Sequence, residues 1–105
     1  MADWRIDPAK ILRYLLNDQS PSGMGKARFF RSFGFNRTQW ELLRDALLAH
    51  PRTAPLEEVD ASSPYGVKLA SHCNVAAPDG RSPCIRTVWQ HRGGTWWLVT
   101  AYPFG

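Results

Sequence analysis

The sequence predicts an α+β domain, with two or three N-terminal helices packed on a C-terminal antiparallel β-meander. Three observations predict it. At 105 residues the chain can bury one modest core and is too short for two. Its apolar spacing changes once, from a helical period in the first half to β-rich runs in the second. Asp79-Gly80 and Gly93-Gly94 then fall between those runs, where hairpin turns belong. The whole of 1–105 reads as a single domain: a helical half over 1–50, a Pro- and acid-rich loop over 51–64, and a sheet over 65–103.

The first helix is expected near 8–16, with Asp7 as N-cap, Pro8 at the first helical position, and Ile11, Leu12 and Leu15 on one face. The second, near 25–33, is closed by Gly34. The third, near 39–49, opens with a capping box of Thr38 and Glu41, buries Trp40, Leu43 and Leu47, and stops at Pro51. Strands follow near 65–76, 83–91 and 95–102, with no parallel pair and no helix between 83 and 102.

With 44% apolar and 12% aromatic residues the composition excludes disorder. The net charge of +4 is unevenly placed. Between Gln19 and Trp40 stand Lys26, Arg28, Arg31 and Arg37 with no acid, so that segment alone equals the net charge while the remainder balances. Such a patch is either a solvated face or the footprint of a polyanion, nucleic acid above all. The start MADWRIDPAK lacks the apolar run of a secretory signal, and no stretch approaches the roughly 20 apolar residues of a membrane span. Cys73 and Cys84 lack CxxC spacing and read as small, reduced core residues of a cytoplasmic protein. His50, His72 and His91 form no metal-binding pattern, and His50 reads as a cation at a helix C-terminus. Neither a metal nor any other cofactor is expected.

The stretch Ser22–Phe35, SGMGKARFFRSFGF, holds the sharpest feature. At helical spacing Lys26 shares a face with Phe29, Phe30 and Phe33, while Arg28 and Arg31 lie on the other side. Those rings must be buried, and they carry the lysine stem inward. Its ammonium either snorkels out at the helix start or reaches a cleft bordered by Arg86 or Thr87 and by Thr100 or Tyr102. No carboxylate on that face or in the three strands would pair with it, so a bound anion such as an RNA phosphate is its natural counter-charge. The Gly25-Lys26 pair is no P-loop, because the glycine spacing is wrong and Ala27 replaces the magnesium-holding hydroxyl.

On the strands, Arg86 and Val88 share one face and Thr87 and Trp89 the other. Leu98, Thr100 and Tyr102 are expected opposite Trp97, Val99 and Ala101. The register leaves open whether Lys68 and His72 share the face of Arg86 or of Thr87. Tryptophans 89, 96 and 97 either stack bases or pack the core.

The ordered segments DPAKILRYLLN, GKARFFRSFGF, WELLRDALLAH, YGVK, PDGR, RTVW and LVTAYP bring in a resemblance over about residues 7–103. The chain resembles an uncharacterised bacterial and phage domain that stands alone in two-gene pairs or closes phage head-morphogenesis and polymorphic-toxin proteins. Through the last strand and the helices-then-sheet layout it is similar to the barnase, EndoU, colicin and RelE-like ribonucleases. That resemblance implies a metal-independent endoribonuclease toxin acting by 2′-hydroxyl attack on RNA, with a small acidic antitoxin or immunity protein as partner. It implies Lys26, Arg86, Thr87, Thr100 and Tyr102 as the catalytic set. Arg28, Arg31, Lys68, His72 and Trp89 would contact RNA. No histidine falls in a shared motif to serve as base. The alternative is a non-catalytic RNA- or protein-binding module on the same fold.

Overall fold

Asp7 opens the first helix as expected. Its carboxylate accepts from the Ala9 amide at 3.0 Å, and Pro8 occupies the first turn. The computed structural model, which describes residues 3–17, 19, 24–54, 56–59 and 67–104, shows a short α1 (Pro8–Lys10) passing directly into a π-helical turn, Ile11–Leu15. The Leu16 amide reaches back five residues to the Ile11 carbonyl at 2.8 Å. The extra residue per turn shifts the phase of the side chains beyond it.

Helix α2 (Met24–Ser32) ends as Gly34 requires. Gly34 takes φ +99°, and the Phe35 amide returns to the Phe30 carbonyl at 3.2 Å, six residues spanning the closing loop. Helix α3 (Trp40–Thr53) departs from expectation at both ends. Its N-terminus uses Asn36, whose side chain accepts from the Gln39 amide at 2.9 Å, and no Thr38–Glu41 capping box forms. Its C-terminus runs through Pro51 to Thr53, because the Ala54 amide still bonds the His50 carbonyl and Pro51 is buried against the core.

The sheet has five strands in the order β1-β5-β4-β3-β2, formed by β1 (Asp3–Arg5), β2 (Leu56–Val59), β3 (Lys68–His72), β4 (Ile85–Arg92) and β5 (Thr95–Pro103). The β3–β4–β5 meander is antiparallel, as read from the sequence. Two strands were not foreseen. β1 pairs in parallel with the first residues of β5, so the sheet is mixed, and β2 pairs antiparallel with β3 inside the stretch expected to be loop. The α+β class stands, with a sheet wider than the meander alone. Residues 65 and 66, expected to start a strand, lie outside the described residues. The β4–β5 turn places Gly93 at φ +58° and Gly94 at +81°, the pair of positive angles that a two-residue hairpin needs.

One face of the sheet is the core. Ile85, Thr87, Trp89, Leu98 and Ala101 are buried there, with Ile11, Leu15, Phe30, Leu43 and Leu47 joining from the helices. Trp4 stands edge-on to Trp89 and stacks on Trp96.

A β-bulge sets the other face. The β4–β5 register shifts at Val88/Trp89, pairing Gln90 with Trp97, Trp89 with Leu98, and Val88 with Thr100. Val99 is the unmatched residue. Strict alternation therefore fails across it. Trp97, Thr100 and Tyr102 share the face turned from the core, and Leu98 joins Ala101 inside. The expected grouping of Leu98 with Thr100 and Tyr102 is corrected by that one residue.

Candidate functional site

The register answers the question left open at His72. His72 pairs with Arg86, and Arg86 with Tyr102, so the three stand in one row across β3, β4 and β5 on the outer face. Directly opposed residues on neighbouring strands bring their Cβ atoms to about 5 Å. Thr100 follows two residues along β5 on the same face. Lys68 is on this face too, in the row of Gln90 and Trp97.

The unforeseen β2 adds Glu57. Its carboxylate lies 3.2 Å from His72 Nε2 and 3.8 Å from an Arg86 amino group. The His72 contact is within ion-pair distance but off the hydrogen-bonding direction, so it is charge proximity rather than a formed bond. Phe104 stacks on His72 with centroids 4.6 Å apart and planes 11° from parallel, and it lies 5.8 Å from the Arg86 guanidinium. Arg86 is thus held by a carboxylate and a ring. Its buried Nε and the buried Thr100 Oγ1 have no hydrogen-bond partner among the described residues. Buried polar atoms without partners are uncommon. These two share one face.

Lys26 turns inward. Its ammonium donates to the phenolic oxygen of Tyr14 and stands 4.6 Å from the ring centroid, with Lys10 at 5.6 Å from the same ring. Tyr14 comes from the π-helical turn, and no sequence pattern singled it out. The Lys26 hydrogen bond holds the phenol below its ordinary pKa; burial opposes it, while the Thr100 hydroxyl and the charges of Lys26 and Lys10 add to it. The Thr100 hydroxyl lies close enough to favour the phenolate without forming a hydrogen bond. β1 covers β5 only over Thr95–Trp97. Thr100 lies beyond that cover, where Tyr14 comes close to the sheet.

Thr87 and Trp89 belong elsewhere. Both are fully buried on the core face, so Thr87 cannot position a phosphate and Trp89 cannot stack a base. Trp89 Nε1 donates to Thr87 Oγ1 at 2.9 Å, the Thr87 hydroxyl donates to His50 Nδ1 at 2.8 Å, and His50 Nε2 donates to the Cys73 carbonyl at 2.8 Å. The carbonyl can only accept, which assigns the His50 tautomer. His50 is therefore a core residue rather than a cation at a helix end, and burial lowers its pKa. Arg28 and Arg31 stay exposed on α2.

The free-thiol expectation is also corrected: Cys73 and Cys84 are joined as a disulfide, with Cα atoms 3.9 Å apart. They meet just past the His72–Arg86 pair, where the Cys73 amide bonds the Ile85 carbonyl at 2.8 Å. A bridged pair removes the ground on which a reducing cytoplasm was inferred. Among the described residues no helix is long and apolar enough to cross a membrane.

The fold is similar to a solved chain described as "Contact-dependent growth inhibition toxin - immunity protein complex from Klebsiella pneumoniae 342", with a TM-score of 0.73 over 95% of this chain and 92% of that one. At 12% identity that likeness concerns the fold. No curated protein matches the sequence. A family described as a domain of unknown function, DUF6883, matches residues 2–105. The chain, covered almost end to end, belongs to the DUF6883 family.

Proposed function

We propose that this domain is an endoribonuclease toxin that cleaves RNA by 2′-hydroxyl attack without a metal, held in check by a small acidic antitoxin or immunity protein. The observation that carries the reading is the row His72, Arg86, Tyr102 continuing through Thr100 to the Tyr14–Lys26 pair. It gathers cations, proton carriers and unpartnered polar atoms on one face. The fold likeness to a chain of a toxin–immunity complex supports the toxin half of the reading.

The chemistry runs as follows. Neutral His72 takes the proton from the 2′-hydroxyl, and that oxygen attacks the adjacent phosphorus. Arg86, through the exposed part of its guanidinium, and Lys26 neutralise the extra charge of the phosphorane. Thr100, beside Tyr14, donates its hydroxyl to a non-bridging oxygen. Tyr102, or Tyr14 with its lowered pKa, returns a proton to the departing 5′-oxygen as the P–O bond breaks. A 2′,3′-cyclic phosphate and a free 5′-hydroxyl remain, and solvent carries the proton from His72 back to the tyrosinate to restore both groups. Arg28, Arg31 and Lys68 would hold the flanking backbone.

Inducible expression in a bacterial host tests it, wild type beside Arg86→Ala and Lys26→Ala, followed by RNA end-mapping. Growth arrest with new 5′-hydroxyl ends in the wild type alone supports the reading. RNA binding with no new ends would point instead to a non-catalytic binding module.

A further inference from the structure

A cleft of about 410 Å³ opens beside the row just described, and Asp7, Lys10, Gln90, Arg92 and Trp97 line it. We infer that this cleft is a base-binding subsite, in which an unpaired nucleobase of single-stranded RNA stacks on Trp97 while Asp7 and Gln90 bond its edge. The inference rests on the ribonuclease reading and names how that site would select its substrate.

Position comes first. Gln90 pairs directly with Trp97, and the bulge at Val99 puts both on the face of Arg86. Four residues of β4 separate Arg86 from Gln90, about 13 Å of strand. A nucleotide adjoining the scissile phosphate, or one beyond it, spans that gap. Lys10 belongs to both places, lining the cleft and standing 5.6 Å from the Tyr14 ring. A strand laid from Tyr14 toward the cleft therefore meets cations along its path.

The lining then decides the ligand. Trp97 is half-buried, with one flank toward this cleft and the other toward a second hollow beside Trp4 and Arg44. The Arg92 guanidinium stands 5.9 Å from the Trp97 ring. An indole face beside a guanidinium is a stacking platform tolerant of any base. Edge selection falls to Asp7. Oδ1 of its exposed carboxylate caps α1 by accepting from Ala9. A carboxylate accepts and cannot donate, so it favours an edge that presents an N–H. Gln90, which both donates and accepts, serves whichever group lies beside it. A bare phosphate would be repelled by Asp7, and an aliphatic ligand would answer neither its charge nor those of Lys10 and Arg92.

The test separates base binding from cleavage. A fluorescently labelled 2′-O-methyl RNA oligonucleotide of mixed sequence lacks the attacking hydroxyl, so fluorescence anisotropy with the full chain reads affinity alone. We expect Trp97→Ala to weaken binding about tenfold, the order that one stacked base contributes, and Trp97→Phe to weaken it less. Asp7→Asn keeps a good N-cap and should change which base is preferred beside the cut in unmodified RNA. Circular dichroism checks that each variant is folded. A folded Trp97→Ala chain that binds as the wild type does would overturn the subsite, even where unmodified RNA is still cleaved and the ribonuclease reading survives. Trp97-dependent binding without cleavage would keep the subsite and remove the ribonuclease. A wild type that does not bind the oligonucleotide at all overturns both.

Discussion

The ammonium of Lys26 donates to the phenolic oxygen of Tyr14, one group from the start of α2 and the other from the π-helical turn. A cation against a phenol oxygen stabilises the phenolate, which is why Tyr14 ionises below its ordinary pKa. In Lys26→Met the largest cause of that shift is gone, and the phenol should titrate at higher pH. A near-ultraviolet absorbance titration reads this, with Tyr14→Phe identifying which of the tyrosines moves. If the titration of Tyr14 is the same with and without Lys26, the pair is not formed in solution.

The buried chain Trp89–Thr87–His50–Cys73 makes the fold sensitive to acid. His50 is neutral in the fold, with Nδ1 accepting from Thr87 and Nε2 donating to Cys73. Its folded pKa is lowered by burial relative to the unfolded chain. The unfolded state therefore binds the extra proton first. Stability from this group is full above the ordinary histidine pKa, near 6.5, and is lost as pH falls below it toward the folded value. Urea midpoints measured from neutral to mildly acidic pH should fall in the wild type and flatten in His50→Gln. Thr87→Val should cost about 2 kcal/mol, since it leaves the indole N–H without an acceptor and His50 without a donor. Thr87→Ser should recover most of that.

The sequence carried the helices and the meander because each is written in local chemistry. Asp7-Pro8, Gly34 and Gly93-Gly94 specify their own caps and turns. What it did not show is set by pairing partners far along the chain. β1 is three residues long and gains strand geometry from β5, and the acidic run around Glu57 becomes β2 only because β3 offers an edge. Period counting also cannot register a bulge, so the faces of β5 slipped at Val99. Its spacing with the phenylalanines set Lys26 apart from Arg28 and Arg31, and it is half-buried where they are exposed. Its partner Tyr14 was not legible, because a π-turn moves that residue off the face an α-helix would give it. Thr87 and Trp89 looked available on paper and are core residues, a difference that only the side chosen by α3 decides.

The disulfide should be worth measurable stability. Cys73 and Cys84 are 11 residues apart and close the β3–β4 connection. A loop of that length confines the unfolded chain by about 2–3 kcal/mol. For a domain of this size that corresponds to a fall in Tm on the order of 10–20 °C when the bridge is reduced. Cys73 also holds φ +60°, and the bonds from its amide to Ile85 and from His50 to its carbonyl keep it there. The reduced chain should therefore remain folded at moderate temperature. Thiol titration of the protein purified without reductant checks the premise, and two reactive thiols at the outset would contradict the bridge.

The outer row gives the last prediction, on activity rather than stability. His72 and Arg86 are half-buried with Glu57 beside them and Phe104 over them, but they lie on the face turned from the core. Replacing Arg86 by Met removes a cation whose Nε has no partner among the described residues, so thermal stability should change by less than about 1 kcal/mol. On the ribonuclease reading proposed above, toxicity and RNA cleavage should fall steeply, because Lys26 alone would remain to neutralise the phosphorane. If His72 is the base of the proposed reaction, His72→Ala should lower cleavage by about a hundredfold or more. His72→Gln keeps the polarity of the side chain without its titrating nitrogen and should not restore activity. Glu57→Gln separates positioning from chemistry. It removes the charge beside both groups and keeps the side chain's shape, so cleavage should persist if that carboxylate only holds them in place. If Arg86→Met and His72→Ala both cleave at the wild-type rate, the cleaving site lies elsewhere on the molecule.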